Sequence, residues 1–269
     1  DAFTPHCCPI VHPPMSRQSF PLEGSVCLVT GASSGIGRAT ACLLAKAGAR
    51  LVLQGRNEEG LRQVAEETGG DYLAVDLAVP GAADYLFTAA KRLQGRIDVV
   101  VNNAGAGWAG PFAEMPPELI PSLVTLNVLA PMTLARAALP DMLSSGRGRI
   151  VFVASIAGYL GVKDEAIYSA SKASLLALAE SLRAETIGTG VAVSVVSPSV
   201  IETPFFSRRG SPYTRSWPRP LPVETAARAI CRAIQRGRPE TIVPSSMGLA
   251  VRVRALVPSL YRALADRYA

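Results

Sequence analysis

Short apolar runs alternate with longer amphipathic stretches along most of the chain. Seven runs rich in β-branched residues predict strands at 26–30, 51–54, 72–75, 99–101, 150–154, 191–196 and 241–243. Helical periodicity fills the intervals, near 36–47, 58–68, 82–93, 117–144, 166–187 and 223–236. Near-continuous apolar strands are typical of a parallel sheet that is buried on both faces. The pattern therefore predicts an α/β fold with a doubly wound, mostly parallel seven-stranded sheet and helices on both faces.

Two segments interrupt this alternation. Residues 202–222 carry several prolines and arginines and predict a long irregular loop, and loops of that length are usually functional. Residues 248–269 are apolar and contain scattered arginines, which fits a helix docked on the protein or a basic helix in peripheral contact with a membrane. We favour docking, because an amphipathic stripe more often packs against protein. We therefore predict a disordered leader over 1–21, one catalytic domain over 22–247 with a substrate loop at 202–222, and a C-terminal helical tail over 248–269.

Composition narrows the class of protein. Hydrophobic residues make up 49% of the chain, enough for a large core, and no uninterrupted apolar run approaches the roughly 18 residues of a spanning helix. The first residues lack the pattern of a signal peptide, so we predict a cytoplasmic protein without a membrane span. The only histidines are His6 and His12, which argues against Ser-His-Asp hydrolases and His-ligated zinc enzymes. Their neighbours Cys7 and Cys8 do not complete a recognisable zinc spacing, so no metal is predicted.

Positive charge is concentrated near the C-terminus. The net charge is +6, and residues 200–269 contain 12 Lys/Arg against 4 Asp/Glu. This excess indicates either an anionic ligand or surface, or a solvated arginine-rich face. The arginines are mixed with prolines and apolar residues and accompany no nucleic-acid-binding motif, so no nucleic-acid partner is predicted.

A glycine-rich turn lies between the first predicted strand and the first predicted helix. It reads Thr30-Gly31-Ala32-Ser33-Ser34-Gly35-Ile36-Gly37. Glycines let the backbone turn tightly and approach a pyrophosphate closely, while the helix N-terminus presents free N–H groups to phosphates. The position of this turn predicts a Rossmann-type dinucleotide-binding domain.

Three polar residues suit acid–base chemistry. Tyr168 and Lys172 are four residues apart in a predicted helix and therefore share one face. A nearby ammonium and the positive ring of a bound nicotinamide dinucleotide favour the phenolate, so we expect the pKa of Tyr168 to move from its ordinary value toward neutrality. Ser155 follows a predicted strand at its carboxyl end, where open α/β sheets bind ligands, and its hydroxyl can stabilise charge on a substrate oxygen.

These motifs together resemble the classical short-chain dehydrogenase/reductase family. The resemblance rests on Thr-Gly-x-x-x-Gly-x-Gly, on Asn102-Asn103-Ala104-Gly105, and on Asn127, Ser155, Tyr168-x-x-x-Lys172 and Pro198, and it covers roughly residues 22–244. It implies an oxidoreductase that interconverts a carbonyl and a secondary alcohol with a nicotinamide cofactor. Tyr168 is then the general acid/base, Ser155 holds the substrate oxygen, Lys172 reaches the nicotinamide ribose, and Asn127 anchors water in a proton relay. A homodimer or homotetramer is also implied.

The cofactor is predicted to be NADP(H) rather than NAD(H). NAD-binding domains place an acid at the end of the second strand, where this chain has Gly55 followed by Arg56. An arginine can bind a 2′-phosphate, and Arg38 is a candidate second cation.

Together with the resemblance this predicts a cofactor site at Gly31, Ser33, Ser34, Gly35, Ile36, Gly37, Arg38, Arg56, Asp76, Leu77, Asn103, Ala104, Gly105, Tyr168, Lys172, Pro198 and Thr203. Asp76 matches an adenine contact but could equally cap a helix. Ser199 replaces a family glycine, which makes the geometry of that loop uncertain.

The sequence indicates only the chemical class of the substrate. An apolar pocket is predicted from Ala157, Gly158, Tyr159, Leu160, Phe205, Phe206, Tyr213 and Trp217. An acidic group on the substrate could meet Arg208, Arg209, Arg215 or Arg219. We therefore expect a bulky hydrophobic carbonyl compound, with an anionic group as a further hypothesis. The alternative function is a non-catalytic NADP(H)-binding regulator or scaffold, which degraded Tyr, Lys or Ser positions would have indicated.

Overall fold

One seven-stranded sheet organises the molecule. The structure is a computed structural model that describes residues 19–214, 217–259 and 261–263. The strands are ordered β3-β2-β1-β4-β5-β6-β7, and every neighbouring pair is parallel. They are β1 (Val26–Thr30), β2 (Arg50–Gly55), β3 (Asp71–Ala74), β4 (Val99–Asn102), β5 (Gly148–Val153), β6 (Val191–Pro198) and β7 (Glu240–Val243). The predicted doubly wound sheet is confirmed, with end positions that differ by one or two residues.

Helices connect the strands and cover both faces of the sheet. They are α1 (Gly35–Lys46), α2 (Glu58–Thr68), α3 (Ala82–Gln94), α4 (Leu119–Val124), α5 (Ala130–Ser145), α6 (Ala157–Leu160), α7 (Ala166–Glu185), α8 (Phe205–Arg208), α9 (Val223–Arg236) and α10 (Met247–Leu256). The stretch predicted as one helix over 117–144 consists of α4, a π-helical turn at Thr125–Leu129, and α5.

The stretch Leu119–Ser145 is long and apolar enough to cross a membrane by length and composition, with 39% of its apolar window buried. Its α5 part lies within the fold, where Leu134 and Met142 are each 1% exposed. These buried residues of α5 pack against the sheet, while Leu129 and Leu143 of the same stretch are exposed.

Two hydrophobic cores lie on opposite faces of the sheet. Successive residues of β1 point to alternate faces, so Val26 and Leu28 join the core beneath α3, α5 and α7. Cys27 and Val29 join the core beneath α1, α2 and α9. The order of the strands reverses between β1 and β4, and ligands in open α/β sheets bind in the crevice at the carboxyl ends of such a pair.

Residues that precede the predicted domain boundary at 22 pack on the domain. Phe20 is 5% exposed, and its backbone N–H donates to the Gln235 carbonyl at 2.7 Å. The guanidinium groups of Arg147 and Arg149 lie 4.7 and 4.4 Å from the centre of its ring. Phe20 thus belongs to the domain, because it closes the end of one core. The rest of the predicted leader, residues 1–18, lies outside the described residues.

The C-terminal segment packs on the main domain. Helix α10 contacts α6 and β7, and Met247 at its start is 6% exposed. Further along, the Tyr261 hydroxyl donates to the Leu160 carbonyl at 3.4 Å. Leu249 and Leu256 remain exposed on this helix. The described part of the tail is therefore docked along one edge of the crevice.

Candidate active site

The glycine-rich turn has the close backbone contacts that its sequence requires. Gly31 has a φ of 65°, and a Cβ there would lie 2.8 Å from Asn103 Nδ2. A Cβ on Gly37 would lie 2.2 Å from the Gly31 carbonyl oxygen, so any side chain would force the turn apart. Ser34 stands at the N-cap of α1, and its side chain caps no N–H group of that helix. The N–H groups of the first turn of α1 are therefore available to a phosphate.

The side chains of Thr30, the last residue of β1, and Asn103, the first residue after β4, hold this turn in place by hydrogen bonds. Thr30 Oγ1 accepts hydrogen bonds from the backbone N–H groups of Asn103 and Ala104, both at 2.9 Å. The side-chain amide of Asn103 donates back to the Thr30 carbonyl at 2.8 Å. This exchange fixes the loop after β4 against the turn after β1, which gives the predicted Asn103 and Ala104 a structural role.

The sequence analysis missed Gln54, which is 2% exposed at the end of β2. Its Oε1 accepts from the Gly31 N–H at 3.1 Å, and its Nε2 donates to the Val75 carbonyl at 2.6 Å. Gln54 thereby links the turn to the chain that follows β3. A lone amide in an otherwise apolar strand was the signal that could have identified it, because buried amides need partners.

The end of the crevice beside β2 carries an exposed arginine that is paired with an aspartate. Arg56 lines the crevice with its side chain 64% exposed, and its Nη1 lies 3.7 Å from Asp76 Oδ2. Asp76 also accepts a hydrogen bond from the Ala78 N–H at 2.9 Å, so it caps its own turn as well. A Cβ on Gly55 would lie 3.2 Å from Ser33 Oγ, which leaves little room there for a carboxylate.

Arg38 occupies a different position from the one expected. Its Nη2 lies 2.5 Å from Glu67 Oε1 on α2, and it does not line the crevice. The first residue beyond the glycine turn points along the outer surface of α1, where the neighbouring helix supplies a carboxylate. Of the two cations predicted for a 2′-phosphate, only Arg56 faces the crevice. Leu77, by contrast, lines it as predicted.

The catalytic candidates Ser155, Tyr168 and Lys172 meet at the floor of the crevice. Tyr168 and Ser155, which follows β5, both line the crevice, and Ser155 is close enough to lower the pKa of the Tyr168 hydroxyl. Lys172, one turn along α7 from Tyr168, has its Nζ 5.7 Å from the centre of the Tyr168 ring and donates to the Val153 carbonyl at 2.9 Å. Ser155, which follows β5, and Tyr168, on α7, therefore line the same crevice as the amine of Lys172.

Burial dominates the acidity of these groups. It raises the pKa of Tyr168 to about 12, an effect that the hydrogen bond from Ser155 partly opposes. Glu165 also raises the pKa of Tyr168, and Arg209 lowers it. Burial lowers the pKa of Lys172 to about 8. In the protein alone the pKa of Tyr168 is therefore raised, because desolvation of the phenolate outweighs nearby positive charge. The expected move toward neutrality also relies on the positive nicotinamide and stays a prediction for the complex with the cofactor.

Asn127 joins the loop after β4 to helix α7. It lies in the π-helical turn and is 1% exposed. Its Oδ1 accepts from the Ala106 N–H at 3.0 Å, and its Nδ2 donates to the Ala106 carbonyl at 2.8 Å and to Ser171 Oγ at 3.1 Å. A Cβ on Gly105 would lie 3.3 Å from both Asn127 Oδ1 and Lys172 Nζ. A π-turn inside a long helix is frequently found at functional sites, and this one directs an amide toward the lysine.

The segment after β6 follows the wall of the crevice. Pro198 lines it and accepts at 3.5 Å from Ser155 Oγ, while the Ser199 N–H donates to the Val243 carbonyl at 2.7 Å. The backbone at Ser199 is thus held by β7, while the buried hydroxyl of this serine, which replaces the family glycine, has no hydrogen-bond partner among the described residues. Thr203 packs against the glycine-rich turn, since a Cβ on Gly35 would lie 3.1 Å from its Cγ2.

Aromatic side chains of the substrate loop cover Tyr168. The rings of Tyr168 and Phe205 have centroids 5.1 Å apart, and the contacts continue from Phe205 to Phe206 at 5.6 Å and from Phe206 to Tyr213 at 5.3 Å. The predicted pocket residues that line the crevice are Ala157, Leu160, Phe205, Phe206, Tyr213 and Trp217.

Two of the residues predicted to line the pocket, and one of the arginines predicted to bind an acidic group, contact other parts of the protein instead. A Cβ on Gly158 would lie 2.8 Å from the Lys172 backbone, and the Tyr159 hydroxyl donates to Glu240 at 2.9 Å. Arg209 pairs with Glu165 in a largely buried contact. Arg208 lines the crevice, Arg219 does not, and Arg215 lies outside the described residues.

The crevice is large enough for two ligands. Its volume is about 2090 Å³, and it extends from Arg56 past Tyr168 to Trp217. Pockets for one small molecule usually occupy roughly 300–1,000 Å³. The glycine cradle, the uncapped α1 N-terminus and the opening beside Tyr168 fit an extended dinucleotide with a substrate next to it. Among the described residues, no group of three or more His, Cys, Asp or Glu side chains could hold a metal ion.

Comparisons with known proteins agree with this geometry. Residues 25–213 match the short chain dehydrogenase family. The ketoacyl reductase HetN of Nostoc sp. is 37% identical over 230 residues, which are 82% of this chain and 79% of that protein. A short-chain dehydrogenase from Sphingobium yanoikuyae, solved with NADPH, is 31% identical with a TM-score of 0.77, covering 90% of this chain and 96% of its own. A Burkholderia phymatum short chain dehydrogenase/reductase, solved with NAD, is 26% identical with a TM-score of 0.80 and the same coverage. The chain is therefore a member of the short-chain dehydrogenase/reductase family of oxidoreductases.

Proposed function

We propose that this protein is an NADP(H)-dependent reductase that converts a carbonyl on a hydrophobic small molecule to a secondary alcohol. The observation that carries the proposal is that Tyr168 and Ser155 line the same crevice beside the buried amine of Lys172, whose Nζ lies 5.7 Å from the centre of the Tyr168 ring. A pair of hydroxyl groups at one point binds a carbonyl oxygen and can deliver a proton to it.

NADPH, when bound, supplies the hydride to the carbonyl carbon. Ser155 and Tyr168 hold the carbonyl oxygen, and Tyr168 donates its proton as negative charge develops there. With a pKa of about 12, the phenol is protonated throughout the neutral range and ready for reduction. The phenolate left on Tyr168 is stabilised by the charged form of Lys172 and recovers a proton from solvent. The products are the alcohol, the oxidised cofactor and the regenerated phenol.

Arg56 supports the choice of NADP(H). It is the cationic side chain at the end of β2 that lines the crevice, and the adjoining position 55 is crowded by Ser33. A guanidinium binds a phosphate through charge-assisted hydrogen bonds, whereas NAD-specific sites need an acid for the ribose. The Sphingobium relative was solved with NADPH and the Burkholderia relative with NAD, so the fold itself accepts both nucleotides.

An apolar substrate is supported by the aromatic cover over Tyr168. Phe205 contacts the Tyr168 ring directly, and Leu160 and Trp217 extend the apolar wall. Arg209 is neutralised by Glu165, which removes it from the arginines that could bind an acidic group on the substrate. The relative HetN is named a ketoacyl reductase, so 3-ketoacyl thioesters are the first substrate class to test.

The test is a panel of carbonyl compounds assayed with NADPH and NADH. It includes 3-ketoacyl thioesters, aromatic ketones, and neutral and carboxylated versions of the same compound. We expect Tyr168→Phe to lower turnover by about 10²–10⁴-fold, the usual contribution of general acid catalysis, while NADPH binding by fluorescence is retained. Tyr85→Phe, at an exposed position on α3, is the matched control and should leave turnover unchanged.

The panel also distinguishes the alternative function. Tight NADPH binding without turnover of any compound would indicate the non-catalytic regulator or scaffold. Wild-type turnover in the Tyr168→Phe variant would contradict the assigned role of the phenol.

We also propose a homodimer or homotetramer. Leu129 and Leu143, on the stretch from the π-turn to the end of α5, are 51% and 43% exposed, which supports an apolar contact between subunits. Light scattering after size exclusion should give a multiple of the 28.2 kDa chain mass, and Leu129→Asp should reduce it. A location in the cytoplasm stays a prediction of the sequence.

A further inference from the structure

Two adjacent arginines of the substrate loop reach opposite walls of the crevice. Arg209 is buried against Glu165, which directly precedes the catalytic helix α7. Arg208 is exposed, and its Nη1 donates to Ser34 Oγ at 3.2 Å across the crevice. The loop therefore spans from the wall of the catalytic helix to the wall of the glycine-rich turn.

Arg208 meets a part of the crevice that favours an anion. Ser34 is the N-cap residue of α1, and the first turn of that helix carries no acidic side chain. Within the described part of the chain, Arg208 forms no ion pair with a carboxylate. A guanidinium and the positive end of a helix dipole so close together repel one another unless an anion lies between them. The complementary ligand is a phosphate group.

The neighbours of Arg208 hold it in place for this contact. Thr203, five residues earlier, packs against Gly35, and the Arg209 carbonyl accepts from the Ala109 N–H at 3.3 Å. The ion pair between Arg209 and Glu165 fixes the next residue in the chain. Little backbone freedom remains to be lost when Arg208 binds a ligand, and such pre-organisation favours affinity.

We propose that Arg208 is a ligand for a phosphate group of the bound dinucleotide, supplied by the substrate loop rather than by the glycine-rich turn. The assignment rests on the proposed function, since it requires a nicotinamide dinucleotide in the crevice. The pyrophosphate is the expected partner because Ser34 stands at the N-cap position of the helix whose N-terminus faces that group in this fold. The 2′-phosphate of NADP(H) is the other phosphate within the same ligand.

Direct binding of NADPH and NADH to the purified full chain tests this assignment without any measurement of turnover. Dissociation constants are determined by nucleotide fluorescence for the wild type, Arg208→Ala, Arg208→Lys and the control Arg252→Ala. Arg252 is an exposed arginine of α10 that does not line the crevice, so its removal changes the net charge equally. Arg208 is itself exposed, so the alanine variant should fold normally.

We expect Arg208→Ala to weaken both nucleotides by about tenfold, in line with the loss of one charge-assisted contact, and Arg208→Lys to recover part of the affinity. Weakening of NADPH alone would support the 2′-phosphate as the partner. Unchanged affinity for both nucleotides, or an equal loss in Arg252→Ala, would overturn the assignment while leaving the proposed function intact. A wild-type protein that bound neither nucleotide would overturn both.

Discussion

Glu165 and Arg209 form a buried ion pair. Glu165 directly precedes α7, and Arg209 belongs to the substrate loop at 202–222, so the pair joins these two segments. Their side chains are 14% and 8% exposed, and Arg209 also donates from Nε to the Ser211 carbonyl at 3.1 Å. The Arg209 guanidinium lies 4.8 Å from the centre of the Phe206 ring. One contact thus holds both the start of α7 and the aromatic cover of Tyr168.

Glu165→Gln should destabilise the protein by about 3 kcal/mol, since it leaves the buried Arg209 without its counter-ion. Urea unfolding of the wild type and the variant measures the difference. The double variant Glu165→Gln with Arg209→Gln carries no isolated charge and should recover part of that loss. A single variant as stable as the wild type would show that the pair does not hold the loop.

Lys172→Met should abolish turnover yet stabilise the fold. Burial lowers the pKa of Lys172 to about 8, which corresponds to roughly 3 kcal/mol of unfavourable burial of the charged amine at neutral pH. Methionine has a similar length and carries no charge, although it loses the hydrogen bond to the Val153 carbonyl. We expect a net gain of about 1–3 kcal/mol in the free energy of unfolding at pH 7.

The lowered pKa of Lys172 also predicts how the stability of the fold changes with pH. The unfolded chain keeps its lysines protonated to higher pH than the folded state keeps Lys172, so wild-type stability should rise from about pH 8 toward the ordinary lysine pKa. The Lys172→Met variant should lack this rise, and the two stability curves should converge at high pH. Parallel curves would contradict the lowered pKa.

The rate of reduction should depend on the charge of Lys172 rather than on the protonation of Tyr168. With a pKa of about 12, Tyr168 remains a proton donor across the accessible range, whereas Lys172 loses its charge above about pH 8. We expect kcat/KM for reduction to be flat near neutrality and to decline above about pH 8, because the phenolate then loses its cationic neighbour. Lys172→Arg keeps the charge, and any activity it retains should not decline there. A decline at the same pH in that variant would assign it to another group.

The fold could be predicted because its evidence is local. The strands from Val26–Thr30 to Glu240–Val243 are short apolar runs separated by helical periods, and the right-handed connection rule leaves few ways to arrange them. The glycine-rich turn was equally visible, since Gly31 and Gly37 are required by backbone contacts within the turn and its neighbour loop. Motif order along the chain then located Ser155, Tyr168 and Lys172.

What could not be predicted depends on distant partners. Arg38 follows the turn in sequence, but Glu67 on another helix determines where its guanidinium lies. In the protein alone the pKa of Tyr168 is raised, because desolvation of its hydroxyl, which the sequence does not display, outweighs the nearby positive charge. The π-turn that orients Asn127 is likewise invisible in a uniformly apolar stretch.

Arg56→Asp should shift the cofactor preference from NADPH toward NADH. The substitution removes the cation that is proposed to bind the 2′-phosphate and places a carboxylate beside Asp76, whose Oδ2 lies 3.7 Å from Arg56 Nη1. Loss of one charged contact and added repulsion should lower the NADPH/NADH ratio of kcat/KM by about 10²-fold. Arg228→Asp, at an exposed position on α9, is the control for the same change in net charge. Gly55→Asp should be a poorer route to NADH, because its Cβ would lie 3.2 Å from Ser33 Oγ and the carboxylate could enter only if Ser33 moved. An unchanged ratio in Arg56→Asp would mean that another group recognises the 2′-phosphate.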